Sequence, residues 1–146
     1  MAKFRQGIYE VQNKDKYLGA KNPRFMSSWE LEFFRFLDRH TNVLKWGAET
    51  VIVPYYSPID QRNRRYMVDI YVEFLKGGKV TKELIEVKPK KELFLPKKTG
   101  RKKKETYLRE MYTWNVNQAK WAAAKKFAEA RGWVFRVMTE DQLFRT

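Results

Sequence analysis

The segment RRYMVDIYVEFLKGGKVTKELIEVK, running from Arg64 to Lys88, reads as a β-hairpin around which the rest of the chain is organised. Tyr66, Val68, Ile70, Val72 and Phe74 recur at period two and are expected to share one face of a strand from Arg65 to Phe74. Gly77-Gly78 supplies the positive φ that a tight hairpin needs, and the partner strand, Val80 to Lys88, ends at Pro89. Asp69 stands alone in the apolar run. Aspartate is a poor strand former, and a buried carboxylate without a partner is costly. On the second strand the same period puts Glu86 and Lys88 on one face and Ile85 and Val87 on the other. Two adjoining strands therefore bring two carboxylates and a lysine together.

Upstream, Ser27-Ser28-Trp29-Glu30 fits a capping box, with Ser27 as N-cap and Glu30 three positions on. A helix is expected to about His40, burying Trp29, Phe33, Phe36 and Leu37, and stopped at Asn42. Glu32, Arg35, Asp38 and Arg39 take its outer side, whereas Glu30 falls between Leu37 and Phe34 inside the apolar arc. An inward carboxylate there either caps the first turn or serves a metal or its water shell. Val43 to Trp46 and Thr50 to Tyr56, interrupted at Gly47, form one bent strand or two short ones. Pro58 and Asp60-Gln61-Arg62-Asn63 make a turn. Residues 1–25 are basic and aperiodic, an arm or irregular cap on a single domain spanning 26–146.

Downstream, PKKELFLPKKTGRKKKE at 89–105 holds eight Lys or Arg against two Glu and is long for a connection inside a domain. A helix from about Thr106 to Arg131 follows, with Gly132 placed for a left-handed C-terminal cap. Its stripe Leu108, Tyr112, Val116, Ala119, Ala123, Phe127 and Ala130 suits packing on the sheet. A second, aromatic stripe contains Trp114 and Trp121 with Gln118 between them. Gln118 either reaches toward the reaction centre or is bonded locally. Trp133 to Met138 reads as a last strand, and Thr139 with Gln142 as a short capped helix. The order is helix, three strands, helix, strand.

Composition narrows the chemistry. The 146 residues suit one domain with a real core. The absence of cysteine and the presence of a single histidine, His40, exclude disulfides, thiolate zinc sites and histidine-built metal sites. Carboxylates remain as metal ligands, and they favour hard ions such as Mg²⁺ or Mn²⁺. The formal net charge of +14, from 31 Lys and Arg against 17 Asp and Glu, draws polyanions, nucleic acid first, although ribosomal, capsid-associated and membrane-surface proteins share such basicity. No apolar run is long enough to span a bilayer, and MAKFRQG lacks the apolar core of a signal peptide, so a soluble, cytoplasmic protein is expected.

Mg²⁺ takes one or two carboxylates, keeps several waters and accepts a phosphate oxygen. A neighbouring lysine can orient a water or stabilise charge developing on phosphorus. Asp69, Glu86 and Lys88 meet that need; the plainer alternative is a cross-strand ion pair on a solvated face. Arg62, Arg64 and Arg65 before the Asp69 strand are expected to grip a DNA backbone. So are Lys90, Lys91, Lys97, Lys98, Arg101, Lys102, Lys103 and Lys104 in the basic loop. The plainer reading of the loop is a solvated charge run.

With Glu30 in the first helix, Asp69 at the second strand and Glu86-Val87-Lys88 at the third, the chain resembles the PD-(D/E)xK nuclease superfamily, whose core has this same element order. The stretches RFMSSWELEFFRFLD, VLKWGAETVIVPYYSP, RRYMVDIYVEF, LIEVKPKKE and NQAKWAAAKKFAEARGWVFRVMTE look like the head-completion nucleases of contractile-tailed phages and the catalytic domain of TnsA-type transposon endonucleases. The likeness covers about Arg5 to Glu140. Val68 replaces the proline of the motif's name, a position that varies in the superfamily.

The resemblance implies an α/β, restriction-endonuclease-like core with a mixed central sheet flanked by helices. It implies that Asp69 and Glu86 bind Mg²⁺ or Mn²⁺ with the Val87 carbonyl as a third ligand, that Lys88 is catalytic, and that Glu30 is an accessory acid beside or on the metal. Some relatives carry a helix glutamine in the position expected of Gln118. The implied activity is hydrolysis of DNA phosphodiesters, endonucleolytic in preference to exonucleolytic, trimming or cutting DNA during head completion or packaging. It would act in the host cytoplasm or in association with the virion, with portal, head or neck proteins as partners and no membrane. Two other readings stand beside it: a non-catalytic DNA-binding assembly protein, and a TnsA-like transposon endonuclease, for which the chain is too short to supply a partner-docking domain.

Overall fold

The computed structural model describes residues 6–143; Met1–Arg5, where the expected basic arm begins, and Phe144–Thr146 lie outside the described residues. The first helix, α1 (Ser28–Arg39), starts where the capping box places it: Ser27 Oγ accepts the Glu30 backbone N–H at 3.2 Å. Glu30 Oε1 in turn accepts the Met26 N–H at 2.5 Å, so its side chain closes the first turn. Leu31, Phe33, Phe34 and Leu37 are buried, with Trp29 and Phe36 packed at the margin.

Asp38, expected on the solvent side, is fully buried. The reason lies upstream. Short strands β1 (Gly7–Ile8) and β2 (Arg24–Phe25) pair antiparallel, and the segment between them folds over α1 and contributes Tyr9 and Val11 to the core. Asp38 ties that segment down, accepting the Tyr9 hydroxyl at 2.5 Å and the Gln12 and Asn13 N–H groups at 2.8 and 3.0 Å. Burial alone would raise its pKa, but these bonds more than offset that and hold it below the ordinary aspartate value. Burial and the same bond push the Tyr9 phenol up to about 12.

Next come β3 (Val43–Ala48), β4 (Ile52–Ser57), β5 (Arg62–Met67), β6 (Ile70–Lys76) and β7 (Lys79–Val87). The central sheet has the order β3-β6-β7 followed by β8 (Val134–Met138); β8 runs parallel to β7 and the other pairs are antiparallel, so the sheet is mixed. Gly77 and Gly78, both at positive φ, turn β6 into β7. β4 and β5 form a separate two-stranded ribbon.

The single strand expected from Arg65 to Phe74 is thus two strands broken at Val68-Asp69, and its one apolar face is two. Tyr66 and Val68 pack with Tyr71 and Leu84 on the side of the second long helix, whereas Ile70 and Val72 pack with α1 on the opposite side. The break is where the chain leaves the ribbon for the central sheet. It is pinned by the Val68 N–H to the Val51 carbonyl (3.1 Å) and by the Glu49 N–H to the Asp69 carbonyl (3.0 Å).

After Lys88 a 3₁₀ turn (Lys90–Leu93) opens the basic loop, and α2 (Lys104–Ala130) follows. Gly132, at φ 74°, ends α2 in the left-handed cap that its position predicts. The buried face of α2 is Asn117, Ala124 and Ala128, flanked by Trp114, Trp121 and Phe127. Leu108 and Tyr112, expected on the sheet, are exposed. A helix of 27 residues is about 40 Å long. Its C-terminal half packs on the sheet, while its N-terminal half lies beneath the basic loop. Thr139 and Gln142 cap the short α3 (Glu140–Leu143), Gln142 Oε1 accepting the Thr139 N–H at 2.7 Å. Helices thus cover both faces of a mixed sheet.

Candidate active site

The break after β5 and the end of β7 lie side by side. At the break, Asp69 Oδ2 accepts the Val87 N–H at 2.9 Å, which fixes one carboxylate against the backbone of the strand that carries the other. Glu86 is buried and Lys88 half-buried; the Lys88 Nζ stands 3.6 Å from Glu86 Oε2, so the two share a face as strand period requires. Ile85 and Val87 face the α1 core instead. The three residues singled out by the hairpin are brought together.

Electrostatics mark the cluster. The Asp69 carboxyl is held well above the ordinary aspartate value, by burial first and by the Glu86 and Glu30 carboxylates after it, with Lys88 and the Val87 N–H opposing. Glu30 is also raised, by burial and then by Glu49 and Glu86, its bond from Met26 pulling the other way. Glu30 therefore caps its helix and belongs to the acidic cluster at once; the two readings of its side chain do not exclude each other. Burial and neighbouring carboxylates that raise Asp69 and Glu30 make a site at which a cation would stabilise the charged forms.

Among the described residues no three acids converge as a ready-made cage. Asp69 and Glu86 offer two carboxylates, which is what Mg²⁺ commonly takes from a protein before waters and phosphate complete its shell. The donor set, all oxygen with a lysine alongside, fits a hard divalent ion.

Three contributors were not evident from the sequence. Tyr66 donates its hydroxyl to Glu86 Oε1 at 2.6 Å and orients that carboxylate, so burial and the Glu86 charge drive the Tyr66 pKa far upward. Lys120 of α2 lies over the Tyr66 ring, 5.4 Å from its centroid. Glu49, a non-glycine residue at φ 56°, sits close enough to Glu30 to raise it. Of these, Tyr66 alone left a trace: a polar hydroxyl on the strand that precedes Asp69.

Gln118 does not take the place expected of it. It is exposed, and helical residues two positions apart project about 200° from each other, so with Lys120 over Tyr66 the Gln118 side chain is turned away from Glu86.

The expected DNA-contacting residues divide into two groups. Arg62, Arg65, Lys91, Lys97, Arg101, Lys103 and Lys104 are exposed. The others are engaged within the protein: Arg64 pairs with Asp60 at 2.6 Å and Lys90 with Asp141 at 3.1 Å. Lys98 donates to the Thr99 and Lys102 carbonyls, and Lys102 to Glu110 and the Lys97 carbonyl. Lys98 and Lys102 thus hold the loop's shape rather than standing free as a solvated charge run. Period two also sends Arg65 to the face of the ribbon opposite Arg62 and Arg64.

Comparison with known proteins places this geometry in a family. Residues 40–140 match the family described as "TnsA-like endonuclease N terminal". The chain is 39% identical over 141 residues to the "Head completion nuclease" of Enterobacteria phage T4, an alignment covering 94% of this chain and 92% of that protein. The mixed sheet with helices on both faces is the restriction-endonuclease-like arrangement of that family, and the resemblance drawn from the motifs holds over most of the chain. The chain belongs to the TnsA-like endonuclease family and is a relative of a phage head completion nuclease.

Proposed function

We propose that the protein is a Mg²⁺- or Mn²⁺-dependent deoxyribonuclease that cuts DNA endonucleolytically. The observation that carries this reading is the convergence of Asp69, Glu86 and Lys88, with Asp69 locked to the Val87 N–H and Glu86 to the Tyr66 hydroxyl. Asp69 and Glu86 would hold the ion, the Val87 carbonyl joining them. When bound, the ion supplies Lewis acidity toward a phosphate oxygen and makes water more acidic. Lys88 Nζ then orients the attacking water and offsets charge growing on the phosphoryl oxygens. Glu30 would act as an accessory acid, beside the ion or in its water shell. Arg62, Arg65 and the free cations of the basic loop position the duplex by its phosphates.

The name of the T4 relative supports a biological setting: DNA trimmed or cut while a phage head is completed, in the host cytoplasm or at the virion, alongside portal or neck proteins. Residues 6–25 then act as a cap on a nuclease domain that begins at residue 26, with the 89–105 loop as its DNA-facing part. No helix among the described residues is long and apolar enough to cross a membrane.

Cleavage of at least one among linear, nicked and single-stranded DNAs is expected with Mg²⁺ or Mn²⁺ and is expected to vanish in EDTA, returning when the metal is restored. Product formation on gels reads this directly. DNA left intact in every metal, with salt-sensitive binding retained, would instead favour a DNA-coating assembly protein.

A further inference from the structure

The N-terminal half of α2 and the basic loop enclose a groove of about 500 Å³ that none of Asp69, Glu86, Lys88 or Glu30 lines. Its walls combine three kinds of group. Phe94, 62% exposed although large and apolar, and Trp114 offer planar surfaces. Lys91, Lys97 and Arg109 line it with positive charge. Asn117, only 4% exposed, contributes an amide whose Nδ2 has no partner, and the Trp114 indole N–H is likewise unpartnered. Two acids, Glu92 and Glu110, also line the groove; Glu110 is neutralised by Lys102 at 2.6 Å.

A buried amide without a partner is an unmet hydrogen-bonding demand. Flat apolar walls, cations and an unpaired amide together describe a site for a nucleotide: the ring stacks, the phosphates meet the cations, and a base edge meets the amide. The same three features do not suit an intact duplex, whose bases are already stacked and paired.

Position fixes which nucleotide. Phe94, the stacking residue on the loop, lies six residues beyond Lys88, and six residues span at most about 21 Å. That is at most roughly six base steps along a strand. On α2, Asn117 lies one turn before Trp121 and just ahead of Lys120, which covers the tyrosine holding Glu86. The groove therefore runs toward the acidic cluster.

We propose that this groove receives one unpaired nucleotide lying within about six nucleotides of the bond to be cut, its base stacked on Phe94 and Trp114 and its edge read by Asn117. The substrate class is then DNA with a single-stranded segment adjoining duplex: an overhang, flap or frayed end. This rests on the nuclease reading for the identity of the ligand, but its test does not need cleavage.

The test uses the full chain in EDTA with duplexes that carry 2-aminopurine either in a short overhang or within a blunt end. Stacking is expected to quench the overhang probe and leave the blunt one unchanged. Phe94→Ala, at an exposed loop position, is expected to remove the quench and weaken overhang binding about tenfold, with blunt-duplex affinity unaltered. Asn117→Asp, read the same way, keeps the shape and is expected to weaken overhang binding by placing charge against the base.

Equal losses on both DNAs after Phe94→Ala, or none on either, would overturn the proposal. The second result would leave the apolar loop tip to a protein partner. Failure of the nuclease reading would show separately, as metal-supplied protein that quenches the overhang probe yet cuts nothing.

Discussion

Asp69→Asn and Lys88→Ala each lower DNA cleavage by about 10³-fold or more, while affinity for the same DNA in EDTA changes by less than about threefold. The two substitutions fail for different reasons. Asparagine keeps the oxygen that accepts the Val87 N–H, so the backbone junction survives, but it removes the negative charge that a divalent ion requires. Alanine at 88 leaves both carboxylates and takes away the one ammonium placed 3.6 Å from Glu86. Binding is spared because affinity for DNA is set by many phosphate contacts, and Lys88 is one of 31 basic residues. Single-turnover cleavage and fluorescence anisotropy separate the two effects. Equal losses of binding and cutting would mean that these residues hold the fold or the DNA rather than the chemistry.

The second large effect falls far from that centre. Asp38→Ala lowers stability by about 3 kcal/mol or more, moving the melting midpoint down by roughly 10 °C. The variant leaves the Tyr9 hydroxyl and the N–H groups of Gln12 and Asn13 buried or half-buried with no acceptor, and the N-terminal segment loses its tie to α1. The pH dependence has a definite sign. Because the folded pKa of Asp38 lies below the ordinary value of 3.8, its contribution is fully present above that value and is lost as pH falls through the folded pKa. The gap between wild type and Asp38→Ala in a denaturant melt is therefore expected at pH 7 and to narrow in acid below about pH 4. A gap of constant size through that range would remove the carboxylate charge from the explanation.

These two residues also show what a linear reading captures. Asp69, Glu86 and Lys88 were legible because a charge in an apolar strand violates the local pattern, and period two then fixes which neighbours share its face. Glu30 was legible for the same reason on a helix. Asp38 was not, since it sits among Glu32, Arg35 and Arg39 on what any isolated helix would present to water; the segment that buries it lies 25 residues upstream.

The break at Val68-Asp69 was hidden differently. Alternation continues unbroken through the letters, and only pairing of β5 with β4 and of β6 with β3 and β7 shows that the chain changes sheets there. On α2, regular small residues suggested one stripe, but the loop folded over its first half decides which side is buried. That is why Asn117, and not Gln118, is the polar residue facing inward.

Anomalous diffraction from a crystal soaked in Mn²⁺ tests the acidic cluster most directly. A peak is expected within about 2.1 Å of both an Asp69 and a Glu86 carboxylate oxygen, with Lys88 beside it. Ordered Asp69 and Glu86 side chains with no peak between them, or a Mn²⁺ ion seated elsewhere, would contradict the assignment of this cluster as the catalytic metal site.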